Sequence, residues 1–162
     1  MGSTTTPGGS GRDFQRLVAV VGIVLYVGAL CLPAFHQARP GDEVQYSFML
    51  LLVGWMGILV GYVAWFASPC IWFSWVMALR GEWLVSGVSA LVATLLIVTF
   101  LATTQMHWPL YERDANPRIT SWDLGYWLWL GSALWMLGMS VVGLFLYPPT
   151  SSPRRPPKQS AR

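Results

Sequence analysis

Residues 44–79 read VQYSFMLLLVGWMGILVGYVAWFASPCIWFSWVMAL, 36 consecutive positions without an Asp, Glu, Lys or Arg. As one α-helix this run would be about 54 Å long, whereas the hydrocarbon core of a bilayer is only about 30 Å thick. The run must break, and the place of the break sets the number of membrane crossings. Ser68-Pro69 is the predicted break, because Pro disrupts a helix interior yet suits a first turn, with Ser ahead of it as a cap. The second span is then residues 46–67. Residues 69–82 are too short to span and carry Trp72, Phe73 and Trp75. That composition suits a short helix lying in the membrane interface, with continuation into the third span as the alternative.

Working outward, further apolar runs give a first span at residues 15–35, a third at 83–105 and a fourth at 122–147. Polar loops at 36–45 and 106–120 separate them. Thr120-Ser121-Trp122-Asp123 resembles a capping box for the fourth span, with an acidic residue near the positive end of the helix dipole. Only 10% of residues are charged and 54% are hydrophobic, against about 25% charged in a soluble domain. The expected fold is therefore all-α, an integral membrane four-helix bundle. A cytoplasmic N-terminal tail (1–14) and a basic C-terminal tail (148–162) are expected to be disordered. The first apolar run is longer than a signal-peptide core and lacks a small-x-small cleavage site, so it reads as an uncleaved span.

Basic residues set the orientation. With a cytoplasmic N-terminus, Arg12, Arg16, Arg80, Arg154, Arg155, Lys158 and Arg162 lie inside, and only Arg39, Arg113 and Arg118 outside. That asymmetry fits the positive-inside rule and places both termini in the cytoplasm. A net charge of +3, without a basic face, gives no footprint for nucleic acid.

Helices in lipid associate through close backbone approach at small residues. Gly54, Gly57 and Gly61 on the second span, and Gly131 and Gly138 on the fourth, are the candidate packing or docking faces. Bundle packing, a protein partner and a second copy of the chain remain open as occupants. Trp72, Trp75 and Trp83 are expected at the inner boundary and Trp108 and Trp122 at the outer one, whereas Trp55, Trp65 and Trp135 lie deeper, where each indole N–H wants an acceptor.

The chemical readings are mostly negative. Every Asp, Glu, Lys and Arg falls in a loop, in a tail or at a span end, whereas charges embedded within a span are the usual mark of ion and proton pathways. Cys31 and Cys70 are expected at opposite boundaries, too far apart for a disulfide. His36 and His107 both follow spans on the outer side, but two ligands are too few for a structural zinc site. No Ser-His-Asp set or phosphate-binding loop occurs, so no catalytic residue, cofactor or metal is expected.

Gly54 to Pro69, GWMGILVGYVAWFASP, resembles a segment of small uncharacterised bacterial four-helix inner-membrane proteins. In those proteins Gly-Trp and a glycine-rich helix lead to Trp-x-Ala-Asn-Pro; here Ser68 stands in place of Asn. The resemblance covers about a tenth of the chain. It implies a bacterial inner membrane and a helix break before Pro69, and brings no activity with it. The expected role is a non-catalytic accessory protein acting through protein contacts, an immunity protein against a secreted toxin being one form. The alternative is a small transporter or channel working as an oligomer.

Overall fold

The computed structural model describes residues 9–38, 43–60, 63–102 and 118–148. Expectations about residues 1–8 and 149–162 of the tails, His107, Trp108, Gly61 and the acidic and basic residues of 103–117 lie outside this set, whereas residues 9–14 of the expected N-terminal tail are helical. Helix α1 (Gly9–Leu30) is followed by strands β1 (Pro33–Ala38) and β2 (Glu43–Tyr46). A short helix α2 (Ser47–Val53) continues as a 3₁₀ helix (Gly54–Val60). Next come a 3₁₀ turn (Ala64–Phe66), α3 (Ala67–Leu79), α4 (Trp83–Leu101), β3 (Arg118–Trp122) and α5 (Leu124–Leu146).

The molecule is mostly helical, and three of its helices, over Gly11–Leu30, Trp83–Leu101 and Leu124–Leu146, are long and apolar enough to cross a membrane. Each carries one inward stripe at helical spacing: Val18, Gly22, Tyr26 and Ala29 on α1, and Ser86, Ala90, Ala93, Ile97 and Phe100 on α4. The opposite faces are just as apolar, with Val20, Val24 and Val27 on α1 and Leu84, Val88, Leu91 and Leu95 on α4 exposed. Helices apolar all round belong in hydrocarbon, and their small inward residues let them approach closely.

The break in the apolar run falls elsewhere than Ser68-Pro69. Residues 46–67 are not one helix: α-geometry ends at Val53, and Gly54 opens a 3₁₀ stretch. Gly54 and Gly57 lower helix propensity there, and Trp65 needs the space that Gly54 leaves. A Cβ on Gly54 would sit 2.7 Å from the Trp65 ring, and the Trp65 indole donates to the Leu51 carbonyl at 3.0 Å. Pro69 is the third residue of α3, a position with no intrahelical N–H bond to lose. Ser68 is buried, and the cap position belongs to Phe66, which makes no side-chain cap bond.

Along one face α3 is packed into the bundle. Ala67, Ile71, Ser74 and Ala78 are fully buried, and the helix packs against α1, α4 and α5 as the fourth wall of the bundle. Residues 47–60 lie at the periphery instead. Cys70, in the first turn of α3, lies partway along the bundle, its carbonyl accepting from Ser89 of α4, and not at the boundary opposite Cys31; both thiols are free. The α3–α4 turn closes with Gly81 N–H donating to Ala78 O and Glu82 N–H to Met77 O, both at 3.0 Å. This Schellman arrangement requires the left-handed φ of +78° that Gly81 supplies.

A second departure from the all-α expectation is a three-stranded antiparallel sheet, ordered β2-β1-β3, at the end where α1 finishes and α5 begins. Pro33 follows the end of α1 and starts β1, where Phe35 turns inward opposite Trp122, and His36, opposite Ser121, stays partly exposed. Phe35, Phe100 and Trp122 form a ring cluster with centroid separations of 6.1, 5.9 and 5.3 Å. Short strands are marginal alone and gain stability from a third strand and a helical support. At the other end, Phe14 of α1 packs on Trp83 and Tyr147, so the chain termini of the bundle meet the α3–α4 turn there.

Candidate functional site

The glycines separate into two groups by what a Cβ would meet. Inward glycines admit a neighbour. On Gly125 a Cβ would lie 2.5 Å from Pro33 O, 2.6 Å from Ser47 Oγ and 2.8 Å from Leu32 O, while on Gly22 it would press on Met136 Sδ and Trp75 Nε1. A Cβ on Gly143 would collide with the Trp83 indole, which is buried against it. None of these three stood out in the sequence, because a glycine's function depends on a partner far away in the chain.

Gly131 and Gly138 meet nothing within 4 Å. They lie on α5 in an outward stripe that runs Trp127, Gly131, Leu134, Gly138, Val141, Phe145, in which every large residue is exposed. Glycines alternating with large apolar residues leave notches into which another helix can bring its backbone. The predicted glycine faces therefore part company: Gly54 is used internally by Trp65, Gly131 and Gly138 are open, and the surroundings of Gly57 and Gly61 lie outside the described residues.

Beneath that stripe the core is tied by hydroxyls. Ser86 Oγ donates to Ser74 O at 2.9 Å, which leaves the Ser74 and Ser140 hydroxyls to donate to Ser86 Oγ at 3.0 and 2.9 Å. In this assignment three donors and both Ser86 lone pairs are used, and all three residues are fully buried. Further side-chain donors bind backbone carbonyls across helix pairs: Ser89 to Cys70 O at 2.8 Å, Tyr126 to Ile97 O at 2.9 Å and Trp135 to Val18 O at 3.0 Å. Trp65 and Trp135 thus find the acceptors that deep indoles need, whereas Trp55 is exposed. Trp83 is buried within the inward face and serves packing more than an interfacial belt.

At the sheet end, His36 Nε2 approaches Asp123 Oδ2 to 2.9 Å. The carboxylate oxygen has no partner with hydrogen-bond geometry, so this is a close polar contact without a well-aimed N–H. Asp123 occupies the cap position of α5 but makes no cap bond. The predicted capping box does not form, because Thr120 and Ser121 belong to β3, and Thr120 Oγ1 donates to His36 O at 3.2 Å. Among the described residues no three His, Cys, Asp or Glu side chains converge as a metal site would require. The charged side chains Arg12, Asp13, Arg16, Arg80 and Glu82 flank the Phe14–Trp83–Tyr147 end, outside the hydroxyl-lined core. Among the described residues the arrangement offers packing faces and a hydroxyl-tied interior. No protein-family model, curated protein or solved structure matches this chain.

Proposed function

We propose that the protein is a multi-pass protein of a bacterial inner membrane that acts without catalysis, by binding another membrane protein along the open face of α5. The observation that carries this reading is the contrast between glycines. Gly125, Gly143, Gly22 and Gly54 each admit a named neighbour of the same chain, whereas Gly131 and Gly138 stand in a notched apolar stripe with nothing within 4 Å. Within this class, an immunity protein that shields the membrane from a secreted toxin is one form such a protein takes. Arg12, Arg16 and Arg80 gather at the end away from the sheet, which supports cytoplasmic termini and an outward-facing sheet.

The test is copurification from native membranes in mild detergent, analysed by mass spectrometry, for the wild type and for Gly138→Leu. A stoichiometric protein that is lost from Gly138→Leu, with the bundle still folded, is the expected result. A chain that purifies alone as a defined oligomer, also disrupted by Gly138→Leu, would transfer the face to self-association and favour the oligomeric transporter or channel. Immunity in particular predicts that deletion is lethal only in the presence of the toxin.

A further inference from the structure

We propose that Ser47 to Val60 forms a one-leaflet arm: it enters the bilayer from the sheet end, stays within that leaflet, and presents its outer face to phospholipid acyl chains. This rests on the reading of the bundle as membrane-spanning. Both ends of the arm are fixed at the same end of the molecule. At its start, Ser47 N–H and Oγ both donate to Leu32 O, at 3.2 and 3.0 Å, beside Gly125 in the first turn of α5. Beyond it, Ala64 and Ala67 join the core cluster of Phe35 from β1, Phe100 from the last turn of α4 and Tyr126 from the first turn of α5. The chain also folds back on itself, since Trp65 binds Leu51 O and covers Gly54.

Seven α-helical and seven 3₁₀ residues have a contour of about 25 Å, short of the about 30 Å hydrocarbon core even if fully straight. A segment of that length that leaves from and returns to one surface cannot reach the other. Its exposed side chains are Phe48, Met49, Leu52, Trp55 and Leu59, in a stretch with no charged residue between positions 44 and 79. This face has no open notch at Gly54, which Trp65 covers, unlike Gly131 and Gly138 on the α5 stripe. It matches the outward faces of α1 and α4, where Val24, Val88 and Leu95 are exposed in the same way. Helical and 3₁₀ bonding satisfies the backbone, as hydrocarbon demands.

The experiment uses the full chain with Cys31→Ser and Cys70→Ser, reconstituted in phosphatidylethanolamine and phosphatidylglycerol vesicles. Single nitroxide labels are placed at Phe48→Cys, Leu52→Cys, Trp55→Cys and Leu59→Cys, with Val24→Cys and Val88→Cys as bundle references and Arg12→Cys as the aqueous one. Collision rates with oxygen and with a water-soluble nickel chelate report depth. The expected result is a several-fold higher oxygen-to-nickel ratio at all four arm positions than at Arg12→Cys, with none deeper than the deeper bundle reference. Arm labels shielded from both reagents would mean a protein covers the face; high nickel collision would put it in water; a Leu59→Cys label past the bilayer centre would make the segment a span. Each of these overturns the proposal. If Val24→Cys and Val88→Cys themselves collide freely with nickel, the membrane reading fails first, and the arm with it.

Discussion

Gly125→Ala should be among the most damaging single-methyl additions in the protein. The added Cβ would sit 2.5 Å from Pro33 O and 2.8 Å from Leu32 O, about 0.9 and 0.6 Å inside the 3.4 Å at which ordinary contact begins. Both obstacles are backbone atoms and neither is free to give. Leu32 O accepts two bonds from Ser47, and Pro33 is paired with Tyr46 across β1 and β2. Relief must come from the first turn of α5 moving outward, which strains the Asp123 N–H to Ala34 O bond of 2.9 Å. Overpacking costs about 1–3 kcal/mol and a weakened backbone bond about 1 kcal/mol, against at most about 1 kcal/mol gained by replacing Gly with Ala in a helix. The net expectation is a loss of about 1–3 kcal/mol. The control is Gly138→Ala, where nothing lies within 4 Å and stability should hold or rise by up to about 1 kcal/mol. Denaturant titration in mixed micelles, followed by tryptophan fluorescence and far-ultraviolet circular dichroism, measures both. Equal stability of the two variants would refute the claim that Gly125 is fixed by the backbone around it.

Other consequences follow the same logic. Gly143→Val should displace the Trp83 indole and loosen the Phe14–Trp83–Tyr147 end, lowering the unfolding midpoint more than Gly131→Val does in the same titration. Ser86→Ala removes the oxygen to which Ser74 and Ser140 donate, for an expected loss of about 1–2 kcal/mol; a change indistinguishable from zero would mean the two hydroxyls find other acceptors. Trp65→Phe abolishes the bond to Leu51 O and should raise amide hydrogen exchange within residues 47–60, while global stability falls by less than about 1 kcal/mol. Asp123→Asn breaks a partly exposed contact with His36 and should shift stability by under about 1 kcal/mol, an effect that shrinks further as salt is added to the wild type.

How much of this was legible in the sequence differs by element. Runs expected at 15–35, 83–105 and 122–147 lie close to α1, α4 and α5, because a long apolar stretch bounded by Pro or charge has one comfortable conformation in lipid. The 36-residue run is different: its composition is uniform, so hydropathy contains no information about where it turns. Pro69 is compatible with either a break or an early helical position, and the glycines that look like a packing face are what relax the helix at Gly54 and make room for Trp65. The sheet escaped because its strands have four to six residues, too few for alternation to register, and because β1 and β3 pair over a distance of more than 80 positions. Among the glycines of α5, only contact with distant residues distinguishes Gly125, which no sequence pattern singled out, from Gly138, which is open.

The order β2-β1-β3 also bears on how such a chain is assembled. On the orientation proposed above, β1, β2 and β3 would be delivered to the far side by separate insertion events, with α3 and α4 threaded between β2 and β3. The β1–β2 pair can close as soon as the first segment has crossed, since a short connection joins its strands. The edge of β1 that β3 will occupy must wait, unpaired, until the hairpin that carries α4 and α5 has been released. On that orientation, completion of the sheet would report that the last helices have inserted correctly. A molecule whose last helix is inverted or left in the insertion channel keeps that edge open, with Phe35 and Phe100 lacking Trp122, and quality-control proteases on that side would meet an unsatisfied strand only in the chains that failed.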